Sequence, residues 1–481
     1  MQKLPWFLVA VAGVGSACGS VQDTGHLADA PPAPIDAPPT PMADAPPIVD
    51  IDAPPPAPVK VTVLTVAGDG APDPTAKVVF QDAVGAVVQD GAVDATGHAQ
   101  ALLPTGGSVA VIRVVTDNTT DLSAQVTVMT GVKPGDDLTF GIKAAPTILN
   151  QGGATTMTAN FPPDSAAGAA TFYTSCGVSS GASDPIKGVA TLTFRDSCHG
   201  GTFDLLGIAT GGNLVTPQFV KLTNVSYQGG AAFTIPTSFA DMSNFAVTLQ
   251  NVPDQLSSIR VTRSSLIGNV AVGPQLITTS APAAGSLAVT VPFPPGFGTR
   301  SELSVGMTRA DATSFQLFDA HTETLTASAT LDVGALALPW ITDLKPTPTG
   351  ATWSTVADGD KPDGMLTQWS GSWTDATGRA VSVGWRVIQP AQASGITLPK
   401  LPAAYAAVDP SQQTVVVSPG LMFVVFGDYD QVAGYDDLRR QAETYLPIMI
   451  NITGDVPSAL GAFIGTPFKR RLSVATTFRR G

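Results

Sequence analysis

Four copies of Asp-Ala-Pro-Pro, beginning at Asp29, Asp36, Asp44 and Asp52, set the first limit on how this chain can fold. Proline fixes φ and carries no amide hydrogen, so neither a helix nor a sheet interior forms through such a tract. Few large apolar side chains stand between the prolines, and no core can offset the entropy of ordering them. The expectation over residues 18–58 is a disordered tether of polyproline II character, rising about 3.1 Å per residue. Its acidic side chains repel one another and keep it solvated.

The residues before the tether read as an export signal, residues 1–17. Lys3 supplies the positive end, and residues 4–14 form an apolar run too short to span a bilayer, which takes about 20 residues. Gly15, Ser16 and Ala17 provide the small side chains a signal peptidase needs, and Cys18 follows. This segment resembles a bacterial lipobox, in which the cysteine thiol is diacylated and the chain is cut just before it. Gly15 stands where that pattern usually has leucine. Gly19 is not aspartate, so the resemblance implies passage to the outer membrane or cell surface, with Cys18 as the lipid attachment site. Ordinary secretion after cleavage near Ala17 is the alternative. Leader and tether together are similar to predicted lipoproteins of myxobacteria and related predatory bacteria, which carry Asp-Ala-Pro tracts behind a lipid-attachment cysteine.

The chain has three cysteines. With Cys18 lipidated, Cys176 and Cys198 remain, and an exported pair is expected to close a disulfide. A loop of that length would stabilise by roughly 3 kcal/mol in the chain-entropy picture. The spacing is far wider than the C-x-x-C of redox pairs.

Charged residues make up 13% of the chain, against about 25% in average domains. The net charge of −13 argues against a nucleic-acid partner, whose binding surfaces are basic. Frequent Gly and Pro turns between β-branched runs predict an all-β protein of several Ig-like β-sandwich units. The best helical stretch is 434–446. Three β-rich segments are expected, at 59–145, 146–339 and 340–481. In the first, residues 72–79 followed by 97–104 resemble the bacterial Ig-like and carboxypeptidase-regulatory-like modules. That resemblance implies a small β-sandwich that serves spacing, stabilisation or binding without catalysis. In the second, alternating strands end at an apolar-proline corner in 156–163, 245–253 and 287–295. Such recurrence suggests stacked sandwiches, or alternatively propeller-like blades.

The third segment holds Trp340, Trp353, Trp369, Trp373 and Trp385. Trp369 and Trp373 lie on one face of a strand with Met365 and Thr367, which reads as sandwich core. The competing reading makes Trp353, Trp369 and Trp373 an exposed platform for stacking on sugars, and solvent exposure separates the two. A final strand is expected over 471–478.

Catalytic groups are sparse. The histidines are His26, His98, His199 and His321, and no H-E-x-x-H, P-loop or dinucleotide fingerprint occurs. Residues 177–181 match G-x-S-x-G around Ser179, but a Ser/Gly/Asp loop follows where a nucleophile elbow needs a helix. Asp358, Asp360 and Asp363 form an oxygen-rich loop that could take Ca2+, the one cofactor the sequence suggests. It is not an EF-hand, since Trp369 occupies the twelfth position. A second acidic cluster spans 427–430 and 436–437. Together these features predict a non-catalytic surface lipoprotein with a structural or binding role and a protein or glycan partner. The alternative is a glycan-binding or glycan-processing protein that uses the Trp-rich segment.

Overall fold

The computed structural model describes residues 57–65, 70–141, 155–175, 180–194, 201–267, 270–280, 285–309, 314–322, 327–356, 359–392, 394–443, 445 and 468–478. All of them fall within one contact unit, Pro56–Gly481. The fold is mostly β, in several sheets.

The largest sheet has twelve strands. From one edge to the other they are Val270–Ser280, Leu256–Ile267, Arg300–Arg309, Ser314–Thr322, Phe468–Phe478, Ser418–Tyr429, Gly364–Thr374, Ala380–Gln389, Asp121–Val132, Gly107–Asp117, Lys77–Gln81 and Val87–Ala92. Strands from the intervals 59–145, 146–339 and 340–481 all contribute. One junction is parallel: Ala380–Gln389 runs alongside Asp121–Val132, with Trp385 opposite Val126. The other junctions are antiparallel.

The middle of this sheet is covered on both faces. A three-stranded sheet of His98–Ala101, Val59–Val63 and Asp137–Phe140 lies on one side, where Val61 and Phe140 join Leu366, Phe423 and Val425 in a core. A second small sheet of Trp340–Thr347, Gly350–Val356 and Ile396–Thr397 lies on the other, where Ile341 and Trp353 join Met422, Val424 and Phe426. This explains the unbroken apolar run at 422–426: successive side chains point to opposite faces, and both faces are dry. Gly371 is required here, because a Cβ at that position would collide with the Trp369 ring.

The propeller-like alternative for the middle segment is not borne out. Two of the three recurring strands are neighbours in one sheet, Ser243–Val252 pairing antiparallel with Gly285–Phe293, and Ser328–Asp332 completes that sheet. It packs on Leu256–Ile267 and Arg300–Arg309 through Phe245, Val247, Val261 and Val305. The third recurring strand, Thr155–Asn160, lies in a four-stranded sheet that shares a core with a second four-stranded sheet. Phe161, Phe172, Phe194 and Phe203 fill that sandwich. The repeated pattern thus marks strands of facing sheets that end at a proline corner, and not blades around an axis.

The expected helix is short, Tyr435–Arg440. Asp436 and Asp437 lie in its first turn and Arg439 and Arg440 in its last, which suits the helix dipole. It pins the parallel junction: the Tyr435 hydroxyl lies 2.7 Å from the Thr130 carbonyl and 2.9 Å from that of Ile388, one on each strand. Arg439, fully buried, pairs with Asp136 at 2.7 Å and donates to the Gly131 carbonyl at 2.6 Å.

Trp369 is fully buried at the centre of the large sheet, opposite Trp385. Trp369→Ala is expected to lower the unfolding free energy by about 3–5 kcal/mol, the cost of an aromatic cavity. Val215→Ala, at a side chain that is 99% exposed, should change it by under about 0.5 kcal/mol. Denaturant titration of the two variants checks both values.

Candidate functional site

Trp353, Trp369 and Trp373 are all core residues, between 0% and 5% exposed. A sugar platform needs an open ring face, so the glycan-stacking expectation is corrected by their burial. The alternation that put Trp369 and Trp373 on one strand face also turned that face towards the small sheet that carries Trp353. Two of the ring N–H groups are used inward, Trp369 donating to the Thr347 carbonyl at 3.0 Å and Trp353 to that of Gln392 at 3.3 Å, while that of Trp373 is buried without a partner.

The acidic loop is engaged with the protein itself. Asp358 lies outside the described residues. Asp360 pairs with Arg471 at 2.9 Å. Arg471 also pairs with Asp428 at 2.7 Å and donates to the Ala335 carbonyl at 3.0 Å. Asp363 accepts backbone N–H groups from Tyr429 at 2.8 Å and Gly434 at 3.0 Å, and so ties the loop to the strand end and the helix start. Burial pushes the Asp363 carboxyl up from 3.8 to about 6, the two amide donors pull against it, and neighbouring Asp428 adds to the rise. Among the described residues no three His, Cys, Asp or Glu side chains gather as metal ligands. The positive charge between Asp360 and Asp428 comes from Arg471. The second acidic cluster is likewise paired, Asp430 with Lys469, Asp436 with Lys133 and Arg439, and Asp437 with Arg440.

Cys18, Cys176, Cys198, Ser179 and His199 lie outside the described residues. His98 opens the strand His98–Ala101, exposed, with Nδ1 2.9 Å from the Thr96 hydroxyl. His321 lies 3.7 Å from Glu302, its neighbour across the sheet.

Two concave features stand apart from these residues. A groove of about 720 Å3 lies at the ends of the central strands. Thr116, Ser123, Ser372, Thr374, Ser382 and Ser418 line it with hydroxyls, beside Asp121 and Trp373. A smaller cavity of about 200 Å3 opens between Leu256–Ile267 and the Ser243–Val252/Gly285–Phe293 pair, and Arg263 lines it. Sequence reading missed Arg263, although a signal existed. Ile259, Val261, Arg263 and Ser265 share the strand face that packs into the core of Phe245 and Val247, which places a cation in an apolar phase.

No known family profile matches the chain, and no curated protein does. Among solved structures, the Bacillus anthracis TIE protein is similar at 12% identity and a TM-score of 0.14, over 58% of this chain and 50% of that one. The chain thus spans about half the length of that protein. Two B repeat units of the collagen-binding protein of Staphylococcus aureus match at 11% identity and a TM-score of 0.11, over 72% and 93% of the two chains. The native conformation of Escherichia coli alpha-2-macroglobulin matches at 12% identity and a TM-score of 0.11, over 74% and 26%. Superpositions at this level carry no inference about ligand or activity.

Asp363 yields a pH signature. The folded state holds its proton more tightly than the unfolded chain does, so its contribution to stability is full below the unfolded value of 3.8 and is lost as pH rises through about 6. Asp363→Asn should therefore flatten the fall in denaturation midpoint between pH 4 and pH 6, relative to the parent. A pH series of denaturant melts tests it, and an unchanged slope would show that Asp363 is not the titrating group.

Proposed function

We propose that this chain is a non-catalytic protein held on the outside of a bacterial cell by a lipid on Cys18, with a structural or binding role for its β body. The proline-rich tether separates anchor from body. The observation that best supports this reading is how the body is built. Residues Pro56–Gly481 form one contact unit, and a single sheet joins strands drawn from residues 77–132, 256–322 and 364–478. Strands remote in sequence are hydrogen-bonded neighbours, and buried ion pairs such as Arg470–Asp319 join them. A body of that kind resists local opening and suits a passive, exposed role. Its partner is a protein or a glycan, and the Cys176–Cys198 disulfide belongs to the same exported setting.

One observation favours the glycan alternative in altered form. The hydroxyl-lined groove beside Asp121 offers hydrogen bonds suited to a neutral polyol, with the largely buried Trp373 in its wall.

Cys18→Ser is expected to move the protein from the membrane to the soluble fraction, or to leave an unprocessed precursor. If the variant is processed and stays membrane-bound as before, Cys18 is not the anchor. Mass analysis under non-reducing conditions should find Cys176 and Cys198 joined, and two free thiols would remove the disulfide from the reading.

A further inference from the structure

Arg263 is a buried cation with no carboxylate partner among the described residues. It is 4% exposed, and its guanidinium carbon lies 3.8 Å from the centre of the Phe245 ring and 3.7 Å from that of Phe293. The cation is therefore sandwiched between two aromatic faces, one from each strand of the covering sheet. Its Nε and Nη2 are buried without a hydrogen-bond partner. The Ser265 hydroxyl, two residues along the same strand, is buried without a partner as well. Arg439 also has Nε and Nη2 without a hydrogen-bond partner, but a carboxylate stands beside it, Asp136 at 2.7 Å, as Asp319 stands 2.6 Å from Arg470. An unpaired ion in an apolar core is costly, and burial pulls this guanidinium down to about 10. Ring faces offset part of that cost but accept no N–H bond in the plane of the guanidinium.

The cavity of about 200 Å3 beside Arg263 is open at its mouth, where Ser243, Asn244, Pro295 and Gly296 are exposed. Lys221 stands at the rim and donates to the carbonyls of Gly296 at 2.7 Å and Pro295 at 3.2 Å. We propose that this cavity is a binding site for a carboxylate, which enters past Ser243 and Asn244 and is held by the Arg263 guanidinium between the Phe245 and Phe293 rings. The geometry selects the ligand class. The rings leave only the edges of the guanidinium for bonding, and a flat carboxylate meets such an edge in plane. Arg263 is the one cation in the cavity lining and balances one negative charge, since Lys221 is engaged with the Gly296 and Pro295 carbonyls at the rim, whereas a tetrahedral dianion brings more charge and more acceptor oxygens than the lining supplies. The carboxylate comes either from a small free acid or from an acidic side chain of a macromolecule.

The test uses the purified full chain at constant ionic strength, titrated with sodium propionate, an acidic hexapeptide, inorganic phosphate and sodium chloride, with thermal midpoint as readout. Propionate should raise the midpoint saturably, with half-saturation on the order of 1 mM for one charge-assisted contact. Phosphate and chloride should give no saturable rise. Arg263→Met keeps the volume and removes the unpaired cation, so its midpoint without ligand should equal or exceed that of the parent while the propionate response disappears. A hexapeptide that binds at least tenfold more tightly than propionate assigns the site to a macromolecular side chain, and the reverse order assigns it to a small acid. The proposal is overturned if propionate acts no differently from chloride, if phosphate acts equally well, or if Arg263→Met responds like the parent. Should that variant fail to fold, equilibrium dialysis of radiolabelled propionate against the parent decides the matter. One competable site per chain supports the proposal, and no bound propionate at about 10 mM ends it.

Discussion

The junction between Ala380–Gln389 and Asp121–Val132 is the contact on which the rest of the body depends. It is the parallel step in a twelve-stranded sheet, and it joins strands about 260 residues apart in sequence. The last strands at one edge, Lys77–Gln81 and Val87–Ala92, reach the remainder of the sheet through it. Parallel pairing cannot be closed by a tight turn, so register must be fixed by other means. Here the Tyr435 hydroxyl spans the carbonyls of both strands, and Arg379 bonds to Asp117 at 2.7 Å at the strand starts. A slip of one residue would turn Val126, Val128, Trp385 and Val387 out of the core they share.

Buried charge among the described residues is met in different ways. Arg470 and Asp319 face one another directly across adjacent strands, and Arg439 meets Asp136 beneath the helix. Such pairs gain little over apolar residues of the same size, but losing one partner is expensive, so they penalise misregistered pairing. Arg263 has no such partner, so it does not set register in the way these pairs do. Its cost is met in part by two aromatic rings and otherwise stands uncompensated by the chain itself. The difference is one of chemistry at equal depth, and it is why Arg263 points to a ligand while Arg470 does not.

Much of the strand content was legible because alternation is a local property. The tryptophan-bearing strands, the proline corners and the short helix near 434–446 could be read from spacing, and core packing of Trp369 and Trp373 followed from their apolar neighbours. The arrangement of strands was not legible, because pairing between residues as distant as Trp385 and Val126 leaves no trace in either segment. The recurring strands left blades open as an alternative to sandwiches for the same reason: a proline corner records where a strand ends and not which strand it meets. Asp360 looked like a cation ligand because sequence shows its charge without showing Arg471, which lies 111 positions away. Arg263 was within reach of a strict alternation test, since it occupies an inward position between Val261 and Ser265.

Where a ligand can bind on this body follows from how the sheet is covered. Its central strands are largely apolar on both faces, and the hydroxyls buried there, those of Thr367 and Ser473, lack both water and a partner. Concavities with polar walls can therefore form only where a covering layer stops. The hydroxyl-lined groove lies at strand ends near Trp373, beyond the cover of Trp340–Thr347 and its neighbours. The Arg263 cavity lies where Ser243–Val252 begins and Gly285–Phe293 finishes, so the guanidinium is at once deep in a sandwich and next to its open end. A cation placed further along the same strand face, at Val261 or Ile259, would be sealed by the core of Val247 and Val291. Position 263 combines low dielectric, which strengthens a charge-assisted bond, with access from solvent, and a site for a small anion needs both.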